Sequence, residues 1–138
     1  MNDYEPAATN LVDAIRALVS NAQHIATLAP LPDGRFSTAI GDGIREAAKR
    51  NNITVRALEG QFYTEEIKPG VLPGFMIFKE AVKPPLNVPF YVGATQTGWT
   101  SWYHSKLVIV DGQRAIAGGH NLWSDTYCGF APVHDISI

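Results

Sequence analysis

The sequence predicts a single α/β domain, and three observations carry that reading. A length of 138 residues suits one domain and leaves no room for two, and 46% hydrophobic with 17% charged residues is the make-up of a chain with an ordinary core. Between residues 24 and 58 a strand pattern, a helix pattern and a second strand pattern follow one another at the spacing of a parallel crossover unit. Farther on, two β-prone runs flank Asp111-Gly112, a strong hairpin signal.

In chain order, apolar residues at 11, 12, 15, 18, 19 and 22 make one face of a helix over Leu11 to Ala22, with Asn10 placed to cap it. "HIATLA" (24–29) is a short strand. "PLPDGRF" reads as a loop with its tip at Pro32-Asp33-Gly34, and Ser37 is placed to cap a second helix, Ala39 to Arg50, with Ile40, Ile44, Ala47 and Ala48 on one side. "ITVRAL" (53–58) alternates as a strand does. Residues 59–89 are broken by Pro69, Pro73, Pro84, Pro85 and Pro89 and read either as an irregular rim or lid or as a surface insert with no role, with a short helix near 75–82. "VPFYVG" (88–93) is a third strand, "HSKLVIV" (104–110) a fourth and "RAIAG" (114–118) its return. "PVHDISI" reads as a last strand, with Val133, Asp135 and Ser137 on one face.

Composition narrows the function. The formal net charge is −2, and the 11 basic residues are scattered from Arg16 to Arg114 with no run longer than Lys49-Arg50, which argues against a nucleic-acid surface. The one cysteine, Cys128, allows no intrachain disulfide and reads as a buried bystander. No apolar stretch is long enough to span a membrane, the opening "MNDYEPAATN" lacks the layout of a signal peptide, and nothing in the chain indicates a compartment.

The chemistry gathers at the hairpin. Side chains alternate along a strand, so His104, Lys106, Val108 and Val110 share a face, with the first two roughly 6.5–7 Å apart at the backbone. Asp111 has the opposite parity and lies roughly 17 Å from Lys106 along an extended strand. It reads as a turn residue bonding nearby backbone amides. Folding the hairpin around Gly112 sets residue 104 opposite 119 or 120 and returns Gly118-Gly119-His120-Asn121 beside His104 and Lys106. Two glycines bare the backbone, and Asn121 adds an amide donor. An imidazole, an ammonium and an amide beside bare backbone suit an oxyanion such as phosphate. The plain alternative is a strand that starts at the surface with both cations solvated. For His104 and Lys106 alone that alternative is favoured, and the wider spacing reverses the balance.

His104-x-Lys106-x4-Asp111, then six residues and Gly118-Gly119-x-Asn121, resembles the HKD signature of the phospholipase D superfamily. "HSKLVIVDGQRAIAGGHNLWSDTY" is most similar to the first half of bacterial phospholipases that carry two such motifs. The resemblance implies a mixed β-sheet flanked by helices on both faces, as one half of a two-lobed enzyme. It implies that His104 attacks phosphorus and forms a phosphohistidine, that Lys106 and Asn121 hold phosphate oxygens beside Gly118 and Gly119, that Asp111 is structural, and that no metal or other cofactor is needed. Many family members carry serine where Gly119 stands, so one hydroxyl donor is missing. The family places an acid on the following strand at about the spacing of Asp135, which is expected to hold the far ring nitrogen of His104; Asp125, in a polar segment, looks exposed.

Only one motif is present, because His24, His120 and His134 do not begin a His-x-Lys. A second HKD half is therefore the expected partner. It comes from the same longer chain, of which this is a fragment, or from homodimerisation, as in small nucleases of the superfamily. The fragment reading is favoured. The function implied is hydrolysis or transfer of the phosphatidyl group of glycerophospholipids, the substrate being met at a membrane surface. Trp99, Trp102 and Tyr103 either meet acyl chains there or belong to the core. The alternatives are a homodimeric HKD nuclease and a noncatalytic phosphate-binding half-domain.

Overall fold

The computed structural model describes residues 9–29, 32–60, 76, 79–95, 104–122 and 137–138. Its elements are α1 (Thr9–Ser20), β1 (Ile25–Ala29), α2 (Gly34–Ala48), β2 (Thr54–Gly60), β3 (Phe90–Thr95), β4 (Lys106–Val110) and β5 (Arg114–Gly118). The five strands form one mixed sheet in the order β3-β2-β1-β4-β5. β1, β2 and β3 run parallel, while β4 is antiparallel to both β1 and β5.

One core joins the helices to one face of the sheet. Register through β1 aligns Val55 with Ala26 and Val110, and Ala57 with Leu28 and Val108. Val55, Ala57, Val108 and Val110 are all buried, packed with Ile15 and Val19 of α1 and Phe36, Ile40 and Ile44 of α2. The helices cross closely because Gly43 lies against α1: a Cβ there would come within 2.9 Å of Val19 Cβ and 3.0 Å of the Arg16 carbonyl. Arg16 and Glu46 pair across the outside of this crossing at 2.5 Å, and that hydrogen bond, with the Glu46 charge, raises the Arg16 pKa above its ordinary value. Among the described residues no helix is long and apolar enough to cross a membrane.

The bounds of α1, α2 and β3 need correction. α1 begins by Thr9, so Asn10 lies inside it rather than capping it. The helix also ends two residues early, because Ser20 Oγ and Asn21 Nδ2 both donate to the Ala17 carbonyl and the last turn tightens through Asn21 N–H to Leu18 and Ala22 N–H to Val19. α2 starts at Gly34 rather than Ala39, with Asp33 as its extended N-cap. Ser37 sits one turn inside, buried, its Oγ donating to the Gly34 carbonyl. Asp33 makes no side-chain capping bond, a contribution of about 1 kcal/mol forgone. Burying Phe36, Ile40 and Ile44 is worth about 1.5–3 kcal/mol each, so the apolar stripe decides where α2 begins. Finally, β3 begins at Phe90 rather than residue 88: Pro89 has no N–H and offers only its carbonyl, which accepts from Val55 N–H at 2.9 Å. Before it, residues 79–82 are helical, and Val82 and Val88 are buried in the core.

Candidate active site

The topology brings the motif to one edge of the sheet. The carboxyl ends of the three parallel strands share an edge, and β4 begins and β5 ends there. Open α/β sheets bind ligands at such an edge. His104 and Ser105 lead into β4, and Gly119 to Leu122 leave β5. α2 also starts at this end, where Asp33 N–H donates to the Leu122 carbonyl at 3.1 Å.

Lys106 and Gly118 are registered partners, and continuing that ladder sets position 104 opposite 120. β4 starts two residues later than expected, with His104 exposed just before it. Lys106 follows Val110 and Val108 on the core-facing side of β4 and is half-buried. Its Nζ donates to the His104 carbonyl at 2.9 Å, which pins the chain entering the strand and holds the ammonium beside the histidine's backbone. Gly118 has no side chain to block the space across from Lys106. Asn121 is half-buried, and the next residue, Leu122, is buried with φ 60.

His120 begins no His-x-Lys, so the motif gives it no role. The structure bonds its Nδ1 to Ser137 Oγ at 2.8 Å. Ser137 in turn bridges Gly118, and Ile138 exchanges two backbone hydrogen bonds with Ala117, at 2.7 and 2.8 Å. The signal was present in the hairpin arithmetic, which set 120 among the positions opposite 104.

Asp111 behaves differently from a turn residue bonding its own neighbours. Its Oδ2 accepts from Gln23 N–H at 2.9 Å and its Oδ1 from His24 N–H at 2.8 Å, 88 and 87 residues away in the chain. The carboxylate is nearly buried, at 9% exposure. Asp111 and Gly112 have φ of 56 and 68, Gln113 N–H closes the turn on the Val110 carbonyl at 3.1 Å, and pairing resumes at Val110–Arg114, so the hairpin loop has three residues. Asp111 thus ties the hairpin to the α1–β1 link, at the edge opposite His104. Asp135, Asp125, Cys128, His134, Trp99, Trp102 and Tyr103 lie outside the described residues.

Two further observations bound the site. Among the described residues no three His, Cys, Asp or Glu side chains gather as a metal site requires. An open groove of about 580 Å³ runs past the C-terminal half of α2, but its Arg16 and Arg45 are paired with Glu46 and Asp42. It reads as a solvated ion-pair surface rather than an anion site.

Over 93% of its length the chain is 36% identical to the phospholipase D of Streptomyces antibioticus. The chain belongs to the phospholipase D superfamily. It spans 24% of that relative's length. No family model matches it. Its fold resembles that of NucT from Helicobacter pylori, with a TM-score of 0.54 and 14% identity over 86% of this chain and 70% of that one. Nuc from Salmonella typhimurium, a phospholipase D family member, aligns at a TM-score of 0.48 and 10% identity, over 81% of this chain and 64% of that one. The phospholipase D fold is thus present as a mixed sheet whose hairpin sets His104, Lys106 and Gly118 to Asn121 at the carboxyl edge and Asp111 at the opposite one.

Proposed function

We propose that this chain supplies one catalytic half of a phospholipase D-type phosphodiesterase acting on glycerophospholipids. The observation that carries the reading is the hairpin register, which sets Lys106 across from Gly118 and brings the 118–121 turn beside His104. In the proposed reaction a ring nitrogen of His104 bonds to phosphorus as the P–O bond to the leaving alcohol breaks. The matching histidine of a second HKD half gives that oxygen its proton. Water, losing a proton to the same histidine, then attacks phosphorus and the P–N bond breaks; another alcohol in place of water gives transfer. Lys106 and Asn121 hold the non-bridging oxygens against the bare backbone of Gly118 and Gly119. Asp135 holds the far nitrogen of His104 and steadies the positive charge on the ring as the bond forms.

A phospholipid is favoured over a nucleic acid by the 36% identity to a phospholipase D and by the absence of any basic run longer than two residues in the sequence. Joined to its second half, the protein is expected to cleave phosphatidylcholine vesicles and leave plasmid DNA intact. Cleavage of DNA alone would select the nuclease reading, and inactivity on both the noncatalytic one. His104→Ala is expected to abolish turnover and the acid-labile, base-stable phosphate trapped by quenching. Full activity in that variant would overturn the assignment. One histidine cannot serve both as nucleophile and as acid on the opposite side of phosphorus, so the isolated monomer is expected to be inactive.

A further inference from the structure

We propose that His120 and Ser137 form a positioning pair that holds Asn121 at the phosphate site, a role that rests on reading this site as phosphate-binding. Asn121 lies past the end of β5, where the described β4–β5 ladder has already stopped at Gly118. A donor on such a turn acts on a transition state only if its backbone is held in place. Two brackets hold it, one residue to either side.

The downstream bracket is Leu122. Its φ of 60 is an unfavourable conformation for a side chain of this kind, and it persists because the side chain is buried in the core and the carbonyl is tied to Asp33 N–H at 3.1 Å. The upstream bracket is His120. Its Nδ1 meets Ser137 Oγ at 2.8 Å, and Ser137 is fixed by its bridge to Gly118 and by the two Ala117–Ile138 hydrogen bonds. Lys106, Gly118 and Ser137 are registered across three chain segments and therefore share a face, so the ring bonded to Ser137 lies on the same face as the Lys106 ammonium. Gly118, between them, adds no side chain. Ser137, bridged to β5, is thereby coupled to the phosphate turn through one side-chain hydrogen bond, and His120 acts through Asn121 rather than on phosphorus.

The test is a titration of the isotope-labelled chain with inorganic phosphate, read at the Gly119 amide, the Asn121 side-chain amide and the Lys106 ammonium. In the wild type all three are expected to respond. In Ser137→Ala and in His120→Ala the phosphate Kd is expected to rise about three- to tenfold, the range of one net hydrogen bond. The Asn121 response shrinks while that of Lys106 persists. Ser137→Thr, which keeps the hydroxyl, restores wild-type binding, and the double variant is no weaker than either single one, because both break the same contact. Independent, additive losses, or wild-type binding and Asn121 response in Ser137→Ala, would overturn the pairing. Relaxation of the Asn121 side chain without phosphate separates the two readings. If no wild-type signal responds to phosphate, the site reading and the role of the pair in it are both overturned; the bracket itself stands only if Asn121 becomes more mobile in Ser137→Ala.

Discussion

Asp111→Ala removes a carboxylate that holds two backbone amides from the other end of the chain. Gln23 N–H and His24 N–H lose acceptors at 2.9 and 2.8 Å, in a place where the carboxylate is only 9% exposed and water replaces it poorly. Hydrogen bonds to a charged group are worth about 1.5–3 kcal/mol each, and two on one carboxylate are not additive. The backbone adds to the loss, because at φ 56 an alanine is less favourable than an aspartate, by about 1 kcal/mol. Together these give a destabilisation of about 3–5 kcal/mol, a large share of the 5–15 kcal/mol that holds a typical domain. Arg114 contributes little, since its guanidinium is 4.0 Å from the carboxylate and half-exposed. Asp111→Asn keeps an acceptor oxygen and suits the left-handed backbone, so it costs about 1–2 kcal/mol. Asp111→Gly relieves the backbone but loses both bonds, and falls between the two. Urea unfolding of the three variants measures the order. Because Asp111 lies at the edge opposite His104, the folded fraction of each variant is expected to bind inorganic phosphate as the wild type does. An alanine variant within about 0.5 kcal/mol of wild type, or an asparagine variant as unstable as the alanine one, would refute this reasoning.

Lys106→Ala and Asn121→Ala are each expected to cost about 3–4 kcal/mol of transition-state binding, a loss of about 10²- to 10³-fold in kcat/KM of the assembled enzyme; a variant with unchanged turnover would place that residue away from the phosphate. Asp135→Asn should leave the unfolding midpoint near wild type while cutting the rate strongly, by favouring the wrong tautomer of His104, and wild-type activity would remove Asp135 from the site. Gly43→Ala puts a Cβ 2.9 Å from Val19 Cβ, a collision costing about 1–3 kcal/mol. That exceeds the gain of up to about 1 kcal/mol in helix propensity, so the melting temperature should fall; a rise would show that α1 yields at no cost.

The parts legible in the sequence are those governed by neighbours in the chain. The return strand 114–118 appears with the expected bounds, because Asp111-Gly112 satisfies the positive φ of a tight turn locally and the flanking alternation sets the strand faces. The strand–helix–strand unit is likewise present as β1, α2 and β2, joined by parallel pairing. The start of α2 differs from the expected one because Ser37 has the chemistry of a cap, whereas the burial of Phe36 extends the helix past it. Nothing in the residues around Asn10 or Val88 shows that a helix is already under way at one and a proline still delays the strand at the other.

That His104 and Lys106 meet the 118–121 segment could be read from spacing alone, since a hairpin with a known turn has few registers to choose from. The choice of 120 as the position facing 104 was made by the ladder that β4 forms with both β1 and β5. The partners of Asp111, 87 and 88 residues upstream, and the bond from His120 to Ser137 could not be named in that way. Turn preferences and side-chain alternation act over a few residues and are written into them. Contacts between distant segments exist only once α1 has packed on the sheet and the last residues have paired with β5, and no local preference of the residues that meet announces them beforehand.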